Sequence, residues 1–195
     1  MGSIGRPNKN YSTGAQLVNF AENLKAQNVS ALISLDSGMS SGEIVALKKQ
    51  LSAKGIDYIS NRTTYIKDFF SVQANTQPTS IQINNIVTRI VDLIDENNGI
   101  VLVHCALGDG RSGMVKAAVL MKKMWMKNKL DSIEDLDTSG VAIQPSILKE
   151  REVLSYPAVK ENIDFIRESH PKAVERADDI QVLNQYWAML NSEQF

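Results

Sequence analysis

Ile100-Val101-Leu102-Val103-His104-Cys105-Ala106-Leu107-Gly108-Asp109-Gly110-Arg111-Ser112-Gly113 joins two patterns that belong to different structures. The unbroken apolar run Ile100 to Val103 marks a strand buried on both faces of a sheet. From Arg111 to about Asn128 the spacing is helical, with Val115, Ala118 and Leu120 inward and Lys116, Lys123 and Lys127 outward. Between these runs the only cysteine of the chain stands at a turn with glycines beside it and an arginine six positions on. The stretch predicts a strand, a loop and a helix in that order.

The same alternation extends upstream. Leu17, Phe20, Ala21 and Leu24 have helical spacing, and Val29, Ala31, Ile33 and Leu35 then alternate as a strand does. Ser40 with Glu43 has the form of a capping box ahead of Ile44, Leu47 and Leu51, and Lys54-Gly55 closes that helix before a short strand, Ile56 to Ser60. Residues 61–78 show no sustained period and read as a long loop, of the kind that is usually functional. Thr79 with Gln82 is a second capping box, opening a helix that carries Ile83, Ile86, Val87, Ile90 and Ile94 and stops near Asn97-Asn98-Gly99. Residues 131–195 read as mostly helical, with starts at Pro145-Ser146, Pro157 and Pro171, and the neighbours Tyr186 and Trp187 read as packing residues. Strands alternating with helices predict an α/β layer fold with helices on both faces of the sheet.

Composition narrows the function classes. At 195 residues the chain fits one domain, 1–195, with enough length for a real core. A net charge of -1 provides no global attraction to nucleic acid, so no nucleic-acid partner is expected. One cysteine forms no internal disulfide, and with only His104 and His170 beside it a metal site is not expected; no cofactor is implied. No apolar run approaches the ~18 residues that span a bilayer, and no signal peptide is readable. The default location is cytoplasmic, while export routes that leave no readable signal stay open. Met1-Gly2-Ser3 lacks the myristoylation pattern, because position 6 is Arg6, and reads equally as an expression scar.

The chemistry is concentrated in the loop. A loop that leaves a buried strand and enters a helix turns its amides inward, and the helix N-terminus adds about half a positive charge. Ala106, Leu107, Gly108, Asp109 and Gly110 would supply that nest around a tetrahedral oxyanion, with Gly108 and Gly110 taking conformations closed to other residues. Arg111 adds a planar fork that matches two phosphate oxygens. The same surroundings favour a thiolate on Cys105, which then needs no separate base, so His104 supports the loop instead. A buried, inert cysteine is the plainer reading of a lone thiol. The glycines and Arg111 at this spacing outweigh it.

Cysteine, five residues, arginine, then serine, with histidine ahead of the cysteine, resembles the signature of the cysteine-dependent protein tyrosine phosphatases, most closely the small atypical dual-specificity branch. Arg6-Pro7, Ile33-Ser34-Leu35, Lys54-Gly55-Ile56-Asp57-Tyr58 and Asp68 with Pro78 stand where that family has comparable pieces, so the resemblance covers roughly residues 6–125. It implies a central, mostly parallel sheet of four to five strands with helices on both faces and a largely helical C-terminal third. It also implies hydrolysis of phosphomonoesters through a cysteinyl-phosphate. In that scheme Cys105 is the nucleophile, Arg111 binds the phosphoryl group, Asp68 is the general acid and then the base, and Ser112 assists the sulfur as it leaves. Asp57 is the rival acid, although it falls within a predicted strand.

Asp109 bears on the substrate. A carboxylate on the phosphate loop repels a polyanion, which ranks phosphotyrosine, phosphoserine and phosphothreonine proteins or peptides above inositol phosphates. Alternatively Asp109 turns to solvent or pairs with a lysine. Phosphoinositide, nucleotide and RNA 5′-phosphate substrates remain alternatives, as does a non-catalytic phosphate-binding module. The sequence leaves the oligomeric state open. It also leaves open whether the last third completes the core or presents Lys149, Arg151 and Lys160 to a partner.

Overall fold

Parallel strands need crossovers long enough to return the chain to the starting edge, and a helix is the usual one. The computed structural model describes residues 2–4, 14–36, 38–60, 78–97, 99–105, 110–130, 141–143 and 153–192. Along these the chain runs β1 (Gly2–Ile4), α1 (Gly14–Ala26), β2 (Val29–Ser34), α2 (Ser41–Ala53), β3 (Asp57–Ser60), α3 (Ser80–Asn97) and β4 (Ile100–His104). It continues through α4 (Gly110–Leu130), β5 (Val141–Ile143), β6 (Val153–Ser155), α5 (Pro157–Ser169) and α6 (Ala177–Asn191). The sheet order is β1-β4-β2-β3, with every pair parallel.

The α/β class and the helices on both faces follow the expectation, but the sheet is smaller than four to five full strands. Its body is three strands, β2, β3 and β4, and the three residues of β1 add only a short edge beside β4. The remaining strands, β5 and β6, pair with each other as a separate antiparallel ribbon and add nothing to the sheet. The edge at Gly2–Ile4 lies across from Leu102 to His104, so these residues form part of the fold.

Local sequence sets the helix ends. Glu43 N–H donates to Ser40 Oγ at 3.3 Å and Ser40 N–H to Glu43 Oε2 at 2.6 Å, which satisfies two donors that a helix start otherwise leaves open. Thr79 and Gln82 do the same for α3, at 2.8 and 3.3 Å. Gly55 takes φ +69°, the left-handed turn that lets the amides of Gly55 and Ile56 cap the carbonyls of Ser52 and Leu51, both at 3.0 Å.

Strand alternation then divides the core. Val29 and Leu32 of β2, with Leu102 of β4 and Tyr58 of β3, face α1 and α2 through Ala21, Leu24, Leu47 and Leu51. Ala31, Ile33, Val101 and Val103 face the opposite way, onto α3, α4, α5 and α6 through Ile86, Val115, Ile163 and Leu183. The described part of the last third therefore shares the main core. Lys160, offered as a partner contact, is paired within α5 to Asp164.

Two details of the helical reading differ. Pro157 does begin α5. Pro171 instead opens a turn, and α6 starts at Ala177. The Arg167 guanidinium takes the carbonyls of Ala173 (3.0 Å) and Val174 (2.8 Å), and Val174 sits at φ +54°, so this segment is held out of a helix. Lys116, expected outward, is half-buried with its Nζ 3.4 Å from His170 Nδ1, and burial pulls its ammonium below the usual lysine range.

Topology leaves one crevice. After β2 the chain moves outward to β3, while β4 inserts on the other side of β2. The connections leaving the carboxyl ends of β2 and β4 therefore lead to helices on opposite faces, the arrangement at which open α/β sheets bind ligands.

Candidate active site

Cys105 directly follows β4 at that crevice, and α4 begins five residues later at Gly110. The thiol carbon chain is almost fully enclosed, 4% exposed, in the core beneath α4. The first turn of a 21-residue helix thus ends at the loop, carrying open N–H groups and the positive end of the dipole. This is the electrostatic setting expected for an oxyanion.

The two ends of the loop are held by one residue of the neighbouring strand. Leu35 N–H donates to the carbonyl of His104 at 2.7 Å, and Arg111 Nη1 donates to the carbonyl of Leu35 at 3.0 Å. The first bond continues the β2–β4 ladder past Ser34, which lies opposite His104. The second places the guanidinium at the carboxyl end of β2, across from Cys105. One of its five donors is spent on Leu35, and the planar fork is thereby fixed in direction.

Ser112 and Gly113 complete the first turn of α4. Ser112 is fully buried, and its Oγ has no hydrogen-bond partner among the described residues, an open donor two positions past the helix start. Gly113 lies against the 171–174 turn: a Cβ there would come 2.8 Å from Ala173 Cβ and 3.1 Å from its Cα. Gly110 differs from the expectation. It is the first helical residue, a Cβ on it would meet nothing within 4 Å, and its φ is not positive. Conformational freedom is not what places a glycine there.

A second polar group lies beside the clamp. Asp36, next after Leu35, is 3% exposed; its Oδ1 accepts the Gly38 amide at 2.8 Å, and its own amide lies 3.4 Å from Ser34 Oγ. Ser34 Oγ and Tyr58 Oη both approach Met39 Sδ, at 3.8 and 3.7 Å. Burial pushes the Tyr58 phenol up, the Ser34 hydroxyl opposes that, and the Asp36 carboxylate adds to it.

Of the residues singled out from sequence, His104, Cys105, Gly110, Arg111 and Ser112 converge here. Ala106, Leu107, Gly108 and Asp109 lie outside the described residues, as does Asp68. Asp57 opens β3 at the amino end of the parallel sheet, the end away from Cys105 and Arg111. Leu35 reads from sequence only as a strand residue, and Asp36 does not stand out there at all. Leu35 acts through its main chain, which side-chain pattern cannot show, but an aspartate ending a buried strand just ahead of Gly38 was a usable signal. Among the described residues no three His, Cys, Asp or Glu side chains gather as a metal site, and no helix is long and apolar enough to cross a membrane.

The sequence pattern of one known family, described as "Polymorphic toxin system, DSP-PTPase phosphatase", matches residues 5–124. No curated protein sequence matches the chain. Among solved structures, Tk-PTP in its active form is 18% identical, with a TM-score of 0.57 over 95% of this chain and 90% of its own. Kinase associated phosphatase with its catalytic cysteine changed to serine is 17% identical, TM-score 0.57, over 90% and 78%. PTPMT1 in complex with PI(5)P is 16% identical, TM-score 0.56, over 91% and 88%.

Proposed function

Since the chain belongs to the polymorphic-toxin-system DSP-PTPase phosphatase family, we propose that it hydrolyses phosphotyrosine, phosphoserine and phosphothreonine esters of proteins through a phosphorylated Cys105. The observation that carries this reading is the Leu35 clamp, which fixes Arg111 across from Cys105 at the mouth of a helix dipole.

The chemistry balances in two steps. The Cys105 thiolate attacks phosphorus, the P–O bond to the leaving group breaks, and the Asp68 carboxyl gives its proton to the departing oxygen. Asp68, now a carboxylate, takes a proton from water as that water attacks phosphorus. The S–P bond breaks, inorganic phosphate leaves, and the Ser112 hydroxyl donates to the sulfur as it regains its charge. Arg111 and the loop amides bind the equatorial oxygens throughout, so their contribution grows as charge accumulates there.

Hydrolysis of p-nitrophenyl phosphate under reducing conditions tests the scheme. Cys105→Ser is expected to abolish turnover, and Asp68→Asn to lower kcat by ~10²–10⁴-fold. Wild-type protein without activity would replace this reading by a phosphate-binding module, and an Asp68→Asn variant with full activity would remove that acid. Turnover of a phosphotyrosine peptide against PI(5)P separates protein from lipid substrates. The family's description adds a cellular test: induced wild type slows growth of a host and Cys105→Ser does not, whereas equal effects would detach growth inhibition from catalysis.

A further inference from the structure

We propose that the groove between α4 and α5 docks a flanking segment of the phosphoprotein substrate, an extended stretch in which arginine or lysine alternates with apolar anchors. The inference rests on the reading of the Cys105 junction as a protein phosphatase site and deepens it. The two helices run antiparallel: Gly113 lies against Ala173, and one turn on Lys116 Nζ stands 3.4 Å from His170 Nδ1. Past that contact lies an open groove of about 740 Å³, whose apolar lining is Leu120 of α4 with Pro157 and Phe165 of α5.

The core-facing stripe of α5 is Val159, Ile163 and Ile166, all but fully buried, and Phe165 stands off it, 61% exposed. One solvent-facing ring is ordinary on a protein surface. Beside Leu120 and Pro157 it completes a site for an apolar anchor. The polar lining is acidic. Glu161, Asp164 and Glu168 recur at helical spacing along α5, and Lys160, the cation among the described lining residues, is taken by Asp164. Among the described residues neither Glu161 nor Glu168 forms an ion pair. Asn162, 9% exposed, gives its Nδ2 to the Ala158 carbonyl at 2.8 Å, which leaves its Oδ1 to accept. Acceptors and negative charge on one wall call for a cationic donor segment.

The dimensions fit a short stretch of chain. Pro157 to Glu168 spans about 16 Å of helix, which about five extended residues cover. Leu120 stands about 14 Å along α4 from Arg111, a distance that about four extended residues bridge. A solvated carboxylate against a cation is worth up to about fivefold in affinity, so Glu161 and Glu168 together supply about tenfold. An apolar side chain seated on Phe165 supplies about as much again.

The test uses the full chain and fluorescence anisotropy with a labelled RLRLRLR peptide at low salt, the peptide ELELELE being the control. Wild type is expected to bind the basic peptide at least about tenfold more tightly than the acidic one, and the Glu161→Gln, Glu168→Gln double variant and Phe165→Ser are each expected to lose about tenfold. Equal binding of the two peptides by wild type, or variants that bind as wild type does, overturns the proposal. So do dimers in sedimentation velocity that Phe165→Ser abolishes, which would give the groove to a second copy of the chain. Phosphotyrosine joined through about four glycines to RLRLRLR is expected to gain about tenfold in kcat/KM, through KM, over the same phosphotyrosine without the extension. With p-nitrophenyl phosphate as the reference substrate, that gain is expected to vanish in both variants, and no gain in an active wild type overturns the substrate role. Variant-sensitive binding of RLRLRLR by a wild type that turns over no p-nitrophenyl phosphate would sink the catalytic reading and leave the groove as a site for basic segments.

Discussion

At the scale of single residues, the site depends on a few side chains that the core holds from below. Ser112 is the sharpest case. Its hydroxyl is buried without a partner among the described residues, a cost of about 1–3 kcal/mol that the folded chain carries in the resting state. In the proposed mechanism this oxygen would take up a bond to sulfur in the second step. Ser112→Ala is therefore expected to fold at least as stably as wild type while dephosphorylation of the cysteine slows. Stopped-flow hydrolysis of p-nitrophenyl phosphate would show a burst followed by a slow steady state; loss of the burst along with the steady rate would mean that Ser112 serves the first step. Tyr186 carries a similar orphan hydroxyl among the described residues, far along in α6, and burial raises its phenol well above the usual tyrosine range.

At the scale of elements, the first turn of α4 and the 171–174 turn are fitted to each other without slack. Arg167 draws the carbonyls of Ala173 and Val174 together, and Gly113 lets that turn approach the helix that bears Arg111 and Ser112. Gly113→Ala must displace backbone as well as a methyl group, at a cost of about 1–3 kcal/mol. Thermal melting is expected to fall by several degrees, and activity to fall further than stability because the displaced helix carries the site. A variant that melted as wild type with full activity would show that the contact is easily relaxed. This coupling was not legible in the sequence, since Pro171 has the form of a helix start and nothing local tells that Arg167 claims the next carbonyls. The capping boxes were legible, because Ser40 with Glu43 and Thr79 with Gln82 satisfy each other within a single turn and need no distant partner.

At the scale of the whole molecule, buried phenols on both core faces tie stability to alkaline pH. Tyr58 and Tyr186 both have raised folded values, Tyr58 through burial first and then the Asp36 charge, so the native state holds their protons more tightly than the unfolded chain. Their contribution is whole below about pH 10 and is lost as pH climbs through the folded values. Lys116 runs the other way: its lowered value is a penalty at neutral pH that is relieved as pH approaches the ordinary lysine range. Among the described residues Lys116 and Arg167 oppose the two phenols, but Tyr186 is displaced furthest, so the urea midpoint should drop above about pH 10, and the Tyr58→Phe, Tyr186→Phe double variant should flatten that drop. An identical alkaline limb in the double variant would place the loss elsewhere. The α/β layering was readable because periods of two and 3.6 are properties of consecutive residues. The short edge β1 was not, since three residues show no period and the strand is defined only by its partner, β4.

The double bond of Leu35 to the ends of the loop also bears on how such a protein tolerates change. Both contacts are made by peptide atoms, which every substitution but proline preserves. An alanine scan would record Leu35 only as a core leucine and would miss that it anchors Arg111. Replacing the Leu35 amide by an ester removes the donor to His104 and leaves the side chain intact, so it isolates what scanning cannot see. Side chains around this loop can therefore be exchanged without touching the two bonds that aim it.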